Sequence, residues 1–286
     1  MPLRDVDRIR RIAITAMFSD DDLMDQFTLK GGNALRMVHR IGARATLDID
    51  LSMEADFDDV EAVRTRVFQL LEDRFDSEGY VVFDLRFERR PPNSLPGDAW
   101  GGYNIEFKAI SKELHAELGG DLVQIRKRAE TVGGDPRQTT RFSIQISTFE
   151  YCMGRSRAEL DDYTIYVYTP EMIAAEKLRA ICQQLPGYPG RRNPTARAKD
   201  FYDIHLVLES TDVDLRTPEN HELLRNIFAA KEVPLEYLGR LSTPEVREFH
   251  RVGWPEVVGS VPGKLQSFDY YYDAVIEEVA ALSPSG

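Results

Sequence analysis

The spacing of apolar residues changes character near residue 168. Before it, alternation of apolar and polar positions predicts strands at 27–30, 81–87, 103–110, 141–148 and 164–168, and one more that carries Asp48 and Asp50. Helical spacing predicts helices at 4–18 and 56–72. After residue 168 the period is helical, with interruptions at Pro218, Pro234, Pro244, Pro255 and Pro262. The pattern predicts an α+β fold: a mixed sheet with flanking helices in domain 1–168, and a mainly helical domain 169–286.

We expect the chain to be organised around residues 27–53. A strand is expected to run into the Gly31-Gly32 turn, followed by a short helix and the strand with Asp48 and Asp50. Carboxylates two residues apart on a strand share one face, roughly 6–7 Å apart. The opposite face is apolar and is expected in the core: Leu47, Ile49 and Leu51.

Paired carboxylates and a glycine turn suit nucleotide chemistry. At an effective dielectric constant of about 20, the two charges repel by roughly 3 kcal/mol, and Mg²⁺ is the usual cation that relieves such a pair. Glycines where a strand meets a helix leave backbone N–H groups open to a phosphate. The stretch therefore predicts a phosphate-binding turn beside metal-binding acids.

Net charge limits the partners. The 286-residue chain carries a formal charge of −12, so no overall field attracts it to nucleic acid or to an anionic membrane. Any polyanion must meet a local basic patch. The best candidate is a loop with Arg191, Arg192, Arg197 and Lys199.

Cysteine usage and hydropathy indicate the compartment. Cys152 and Cys182 form no CxxC pair, which favours a reducing environment, and the charged N-terminal segment lacks the apolar core of a signal peptide. No run of about eighteen apolar residues occurs. We therefore expect a cytoplasmic protein with no membrane association.

Two charges stand on apolar helix faces. Lys177 lies in a predicted helix at 170–184, and Asp200 lies in the apolar stripe of a predicted helix at 198–209. A lysine there needs an anionic partner, which is either a structural acid or a bound phosphate. Asp200 either compensates the helix dipole or takes part in a site. Asp203 lies off the stripe, which favours a structural or supporting role.

Four sequence blocks carry a family resemblance. LKGGNAL, RATLDIDL, EKLRAI and AKDFYDI occur in this order over residues 29–204. Together they resemble the AbiEii/AbiGii-type nucleotidyltransferase toxins, which include the mycobacterial MenT toxins. The resemblance implies the mixed-sheet fold of the DNA polymerase β-like nucleotidyltransferase superfamily.

The resemblance also implies residue roles. Asp48 and Asp50 correspond to the metal-binding acids, and the Gly31-Gly32 turn corresponds to the phosphate contact. Lys177 matches the lysine that grips the triphosphate, and Asp200 matches a later essential aspartate. Three further positions are expected to shape the pocket: Lys30, Arg44 and Thr46.

The implied activity is transfer of a nucleotide from an NTP to an acceptor hydroxyl, with Mg²⁺ and release of pyrophosphate. Some members modify the 3′ end of tRNA and halt translation, as the toxin half of a toxin–antitoxin or phage-defence pair. A cognate antitoxin is therefore a possible partner. Two other interpretations stay open: an NTP-dependent enzyme that is kinase-like or modifies protein, and a non-catalytic partner-binding module.

The sequence does not identify the general base that would activate the attacking hydroxyl. Related enzymes place a third carboxylate on a neighbouring strand, where it helps to activate the attacking hydroxyl. Here the strand at 141–148 carries Gln145 instead. Glu106 and Asp200 are the alternatives, and a third is that no side chain acts as base.

Overall fold

The computed structural model describes residues 3–42, 46, 48–92, 101–131, 139–188 and 193–282. The chain divides into two compact units. The first comprises Met1–Asn33, Thr46–Cys152 and Ser156–Val167, and the second comprises Ala34–Ala45, Met153–Arg155 and Tyr168–Gly286. The predicted division into a core domain at 1–168 and a helical domain at 169–286 that completes the active site remains a prediction.

The first unit contains a seven-stranded mixed sheet, within the part of the chain that is described. Its strands are β1 (Thr28–Lys30), β2 (Ile49–Ser52), β3 (Tyr80–Arg89), β4 (Gly102–Ser111), β5 (Phe142–Ser147), β6 (Ser156–Leu160) and β7 (Tyr163–Val167). Their order in the sheet is β3-β4-β5-β2-β1-β7-β6. Its helices are α1 (Leu3–Met17), α2 (Asp21–Gln26), α3 (Gly31–Asn33), α4 (Val60–Ser77), α5 (Lys112–Glu117) and α6 (Leu122–Arg128).

The central strands have one apolar and one polar face. Aligned residues on neighbouring strands point to the same side of a sheet, and their side chains alternate along each strand. Ile49 is aligned with Ile144, and Ile144 with Ile105, all buried. The next aligned row holds Asp50 and Gln145. The pleat therefore places the predicted acid Asp50 opposite the core.

Helix α4 covers part of the apolar face. Phe75 of α4 packs edge-on against Phe107 of β4, with ring centroids 5.3 Å apart, and Phe107 stacks on Phe142 of β5. Asp59 caps α4 by accepting hydrogen bonds from the amides of Glu61 and Ala62. Because Asp59 ends the preceding loop, α4 begins at Val60, later than the predicted start at residue 56.

The second unit is helical in its described part. A short π-helix (Ala34–Val38) is followed later in the chain by α7 (Pro170–Cys182), α8 (Ala198–Ser210), α9 (Pro218–Ala229), a 3₁₀ turn (Leu235–Arg240), α10 (Pro244–Arg251), α11 (Trp254–Ser260) and α12 (Phe268–Leu282). Phe201 of α8 lies at the centre of the aromatic packing, against Phe268 and Tyr272 of α12. The predicted α+β class, with a mixed sheet followed by helices, is confirmed.

Three helices of this unit begin at the same tripeptide, Thr-Pro-Glu. Thr169, Thr217 and Thr243 each cap a helix by accepting an amide hydrogen bond, and each is followed by Pro and Glu. Proline is tolerated at the first helical position because that residue needs no intrahelical N–H partner. The sequence interpretation of Pro218, Pro244 and Pro255 as turns was therefore wrong, since the first two start helices and Pro255 lies in the first turn of α11. The strand β6 was missed, because Ser156–Leu160 is short and polar.

Candidate active site

The predicted acids lie at the start of β2. Asp50 is aligned with Lys30 of the antiparallel strand β1, and Asp48 directly precedes β2. Both acids are half-buried, whereas Ile49 and Leu51 are buried on the opposite face. Leu47 lies outside the described residues. The strand is thus held by its apolar side and presents Asp50 on its polar side.

Gly31 and Asn33 join the glycine turn to these acids. Gly31 has φ +67°, and a Cβ built on it would lie 2.6 Å from Oδ2 of Asp50. A side chain at residue 31 would therefore force the Asp50 carboxylate to shift, and the positive φ also favours glycine. Nδ2 of the buried Asn33 donates to the backbone oxygen of Asp48 at 2.7 Å. Gly32 lies between them in α3, and a π-helix, an element frequent at functional sites, follows directly.

The side chain of Lys30 is buried beside Asp50. Its Nζ lies 3.3 Å from Oε1 of Glu150 and 3.4 Å from Oγ of Ser147. Thr46 is also buried, and its hydroxyl makes no hydrogen bond within the described part of the chain. Arg44, the third predicted pocket residue, lies outside the described residues. The pocket roles of all three remain predictions.

On its other side, Asp50 is aligned with Gln145 of β5, and Gln145 with Asn104 of β4. Glu106 is two aligned rows further along on the same face, opposite Ser143, and forms an ion pair with Arg141 at 3.2 Å. The strand position next to Asp50 is therefore occupied by an amide, and the alternative carboxylate Glu106 is already paired with an arginine.

Helices α7 and α8 of the second unit carry Lys177 and Asp200, the two charged residues that the sequence placed on apolar helix faces. Lys177 is 4% exposed, and its Nζ lies 3.0 Å from Oδ1 of Asp200 and 2.7 Å from Oδ2 of Asp203. The lysine thus has the anionic partners that its burial requires. Asp203 was not counted among the site residues, although it follows Asp200 by one helical turn.

Arg197 and His250 complete this cluster. Arg197 Nε donates to Oδ2 of Asp200, and its backbone N–H donates to Nδ1 of His250 at 3.0 Å. Burial would raise the pKa of Asp200, but the charges of Arg197 and Lys177 outweigh it and hold that pKa below its usual range. Burial lowers the pKa of His250 to about 4, so the imidazole is neutral and accepts on Nδ1.

The structure brings the predicted residues together within each unit. Gly31, Asp48 and Asp50 adjoin one another in the first unit, and Lys177 pairs with Asp200 in the second. Asp203, for which the sequence favoured a structural or supporting role, lies against Lys177. Asn33 and His250 were not predicted as supporting residues.

The donor set fits Mg²⁺ with a bound nucleotide. Mg²⁺ in phosphate-transfer sites is held by one or two carboxylates together with substrate phosphates. Asp48 and Asp50 supply two carboxylates, and Gly31 leaves the backbone open beside one of them. Among the described residues, no group of three or more His, Cys, Asp or Glu side chains could hold a metal. A two-carboxylate site completed by phosphate is therefore the arrangement that these residues fit.

A separate cavity of about 340 Å³ lies in the first unit. Its lining includes Arg8, Arg11 and Arg74, each paired with Glu78 or Asp161. None of the predicted site residues lines it, and its arginines already have carboxylate partners. We assign it no role in the chemistry.

Comparisons with known proteins identify the family. The family model described as the AbiEii nucleotidyl transferase toxin of type IV toxin–antitoxin systems matches residues 12–274. No curated protein matches the chain. Within the described residues, no helix has the length and apolar character needed to cross a membrane.

Two solved structures are similar at low identity. JHP933 from Helicobacter pylori is 12% identical, with a TM-score of 0.45 over 97% of this chain and 90% of that chain. An antigenic nucleotidyltransferase-like protein from Paracoccidioides brasiliensis is also 12% identical, with a TM-score of 0.36 over 88% of this chain and 93% of that chain.

The family match spans almost the whole chain, so the resemblance carried by the four sequence blocks is confirmed. The chain belongs to the AbiEii family of nucleotidyltransferase toxins of type IV toxin–antitoxin systems.

Proposed function

We propose that this nucleotidyltransferase transfers a nucleoside monophosphate from an NTP to a hydroxyl of RNA, at the 3′ end of tRNA. The acceptor oxygen bonds to the α-phosphorus, the bond from that phosphorus to the bridging oxygen breaks, and pyrophosphate leaves. Nucleotidyl transfer is the activity of the family. The RNA acceptor and a cognate antitoxin are what the resemblance implies, and a cytoplasmic location is the expectation from the cysteine usage.

The close approach of Gly31 to Asp50 is the observation that supports this proposal most directly. A side chain on Gly31 would occupy the space next to the carboxylate, so the glycine keeps the backbone accessible at that point. We infer that the Gly31-Gly32 turn receives the phosphates of the NTP while Asp48 and Asp50 hold the metal. Lys30 and Thr46 are proposed to shape the pocket, together with Arg44.

Bound Mg²⁺ would neutralise phosphate charge and stabilise the attacking and leaving oxygens. Asn33 contributes by fixing the backbone at Asp48, since it donates to that carbonyl from a buried position. With the carboxylates held in place before substrate arrives, little reorganisation accompanies the reaction.

We propose that Lys177 binds the triphosphate, as the resemblance implies, with Asp200 and Asp203 as the residues that orient its ammonium group. Two carboxylates on one Nζ leave it little freedom of direction. Asp200 is a poor general base, because both of its oxygens accept charged hydrogen bonds and its pKa lies below the usual range. We therefore propose that Asp200 acts through Lys177 and takes no proton from the acceptor.

The decisive experiment follows the label of the NTP. The purified chain is incubated with total RNA, total protein and each NTP in turn, labelled at either the α- or the γ-phosphate. Nucleotidyl transfer moves only the α-label, and we expect it in tRNA. Transfer of the γ-label would indicate a kinase-like enzyme, α-label in protein would indicate a protein-modifying enzyme, and no transfer would favour a binding module.

Asp48→Ala is the matching variant. It should abolish transfer while the thermal unfolding temperature stays close to that of the wild type. Asp58→Ala is its control, because Asp58 is an exposed aspartate in the loop before α4. Retained transfer in Asp48→Ala would overturn the assignment of the metal-binding acids.

A further inference from the structure

Gln145 occupies the flank of Asp50 that lies away from the glycine turn. In the order β5-β2-β1, the strand with Asp50 is central. Gly31 follows β1 on one side, and Gln145 lies on β5 on the other, directly aligned with Asp50. Aligned residues on adjacent strands are about 5 Å apart and point to the same face. Gln145 is therefore an immediate neighbour of the proposed metal-binding carboxylate.

The carboxamide of Gln145 is available to a ligand. Its side chain is exposed and makes no hydrogen bond or ion pair within the described residues. Its row neighbours differ: Lys30 lies close to Glu150 and Ser147, and Asn104 accepts a hydrogen bond from Ser143 Oγ at 2.7 Å. In the polar row of Lys30, Asp50, Gln145 and Asn104, the side chain of Gln145 is thus exposed and can accept a hydrogen bond from a ligand.

In-line displacement determines which flank receives the acceptor. The attacking and leaving oxygens must lie on opposite sides of the α-phosphorus. If the phosphates bind at the Gly31-Gly32 turn, pyrophosphate departs on the β1 flank of Asp50. The acceptor hydroxyl then approaches from the β5 flank, where Gln145 is the aligned residue.

We propose that Gln145 is a catalytic residue that contacts the acceptor, its carboxamide oxygen accepting a hydrogen bond from the attacking hydroxyl. This inference rests on the proposed function, because it needs the phosphates at Gly31 and the acids at Asp48 and Asp50. The amide aligns the hydroxyl but takes no proton. As the oxygen bonds to phosphorus and pyrophosphate leaves, the hydroxyl proton passes to solvent water.

This arrangement accounts for the absence of a carboxylate next to Asp50 in the described sheet. Glu106, a carboxylate of this face on β4, lies two aligned rows away and is paired with Arg141. A glutamine retains the geometry of a glutamate while adding no third negative charge beside Asp50. Repulsion of the NTP is correspondingly smaller.

Three variants test the role. Gln145→Met keeps the length of the side chain and removes its hydrogen bonds, and Gln145→Glu keeps an accepting oxygen. Gln124→Met is the control, since Gln124 is an exposed glutamine on α6. Transfer of α-label to total tRNA is measured while tRNA and NTP are varied separately, and thermal unfolding checks the fold of each variant.

We expect Gln145→Met to lower kcat/KM for tRNA about tenfold, the value of one hydrogen bond, while KM for the NTP changes less than twofold. The kcat/KM for tRNA of Gln145→Glu should exceed that of Gln145→Met, and the kcat/KM of Gln124→Met should match that of the wild type. An unchanged kcat/KM in Gln145→Met, or a loss confined to the KM for the NTP, would overturn this inference alone. If the wild-type chain transfers no α-label, the proposed function fails and this inference fails with it.

Discussion

Gly31 and Asp50 approach each other closely: a Cβ on Gly31 would lie 2.6 Å from Oδ2 of Asp50, so an added side chain would displace the carboxylate. The glycine also has φ +67°, a conformation that residues with a side chain rarely adopt. Both requirements act at the same residue. The position of the Asp50 carboxylate therefore depends on the absence of a side chain at residue 31.

Gly31→Ala is expected to reduce transfer on the order of 100-fold, because the added methyl group displaces the Asp50 carboxylate and a 1 Å misplacement has an effect of that size. The measurement is the initial rate of α-label transfer at saturating NTP. Strain from the positive φ should also lower the free energy of unfolding by about 1 kcal/mol.

Gly79→Ala separates the two effects. Gly79 has φ +84°, and nothing lies within 4 Å of a Cβ built on it. This variant should show the same loss of about 1 kcal/mol in the free energy of unfolding, with full transfer activity. Equal activity in both variants would contradict the role given to the Gly31–Asp50 contact.

Lys177→Met should lower the free energy of unfolding by about 3–5 kcal/mol, because it leaves the buried carboxylates of Asp200 and Asp203 without their shared cation. Urea unfolding of the purified variant measures this loss. Transfer should disappear at the same time, since the proposed contact with the triphosphate is removed.

The double variant Lys177→Met with Asp203→Asn distinguishes a structural lysine from a phosphate-binding one. Removing one carboxylate relieves part of the repulsion, so stability should partly recover relative to Lys177→Met. Transfer should stay absent if Lys177 contacts the NTP. Recovery of transfer along with stability would show that the lysine only supports the fold.

The pH dependence of stability should carry a contribution from His250. Its folded pKa of about 4 lies below the ordinary value of 6.5. Between these values the unfolded chain binds a proton that the folded chain does not, so protonation favours unfolding. The free energy of unfolding should therefore fall as the pH drops from 6.5 to 4, by about 2 kcal/mol at pH 5 from this group.

His250→Asn isolates that contribution. The asparagine oxygen can accept the backbone N–H of Arg197 in place of Nδ1, but it does not titrate in this range. Urea unfolding at pH 7.5 and pH 5 should show the wild type losing about 2 kcal/mol more than the variant. Equal losses would contradict the neutral, buried imidazole.

Mg²⁺ should increase the affinity for NTP only when both acids are present. In calorimetric titrations the wild-type chain should bind NTP at least about tenfold more tightly with Mg²⁺ than with EDTA, because the metal links phosphates to carboxylates. Asp50→Asn should lose most of this difference. An undiminished Mg²⁺ effect in the variant would place the metal away from Asp50.

Much of the local structure follows from the sequence alone. Alternation along residues 49–51 predicted the buried and polar faces of β2, and Thr169-Pro170-Glu171 predicted the start of α7. Such features depend on contacts between residues close in the chain, so a short window contains their cause. The same capping pattern at Thr217 and Thr243 was present in the sequence but was interpreted as turns.

Other features depend on segments that are distant in the chain. Strand register aligned Asp50 with Gln145, ninety-five positions later, and helix packing brought Asp203 and Asp200 onto Lys177. Neither register nor rotation about a helix axis can be read from a local pattern, because each is set by which apolar surfaces pack together. The sequence by itself determined the family, the α+β class and most of the strands, and it predicts the chemistry of Asp48, Asp50 and Lys177. Only the tertiary structure determined which residues lie next to them. This matters because the partner beside which a charge is buried determines how its charge is balanced.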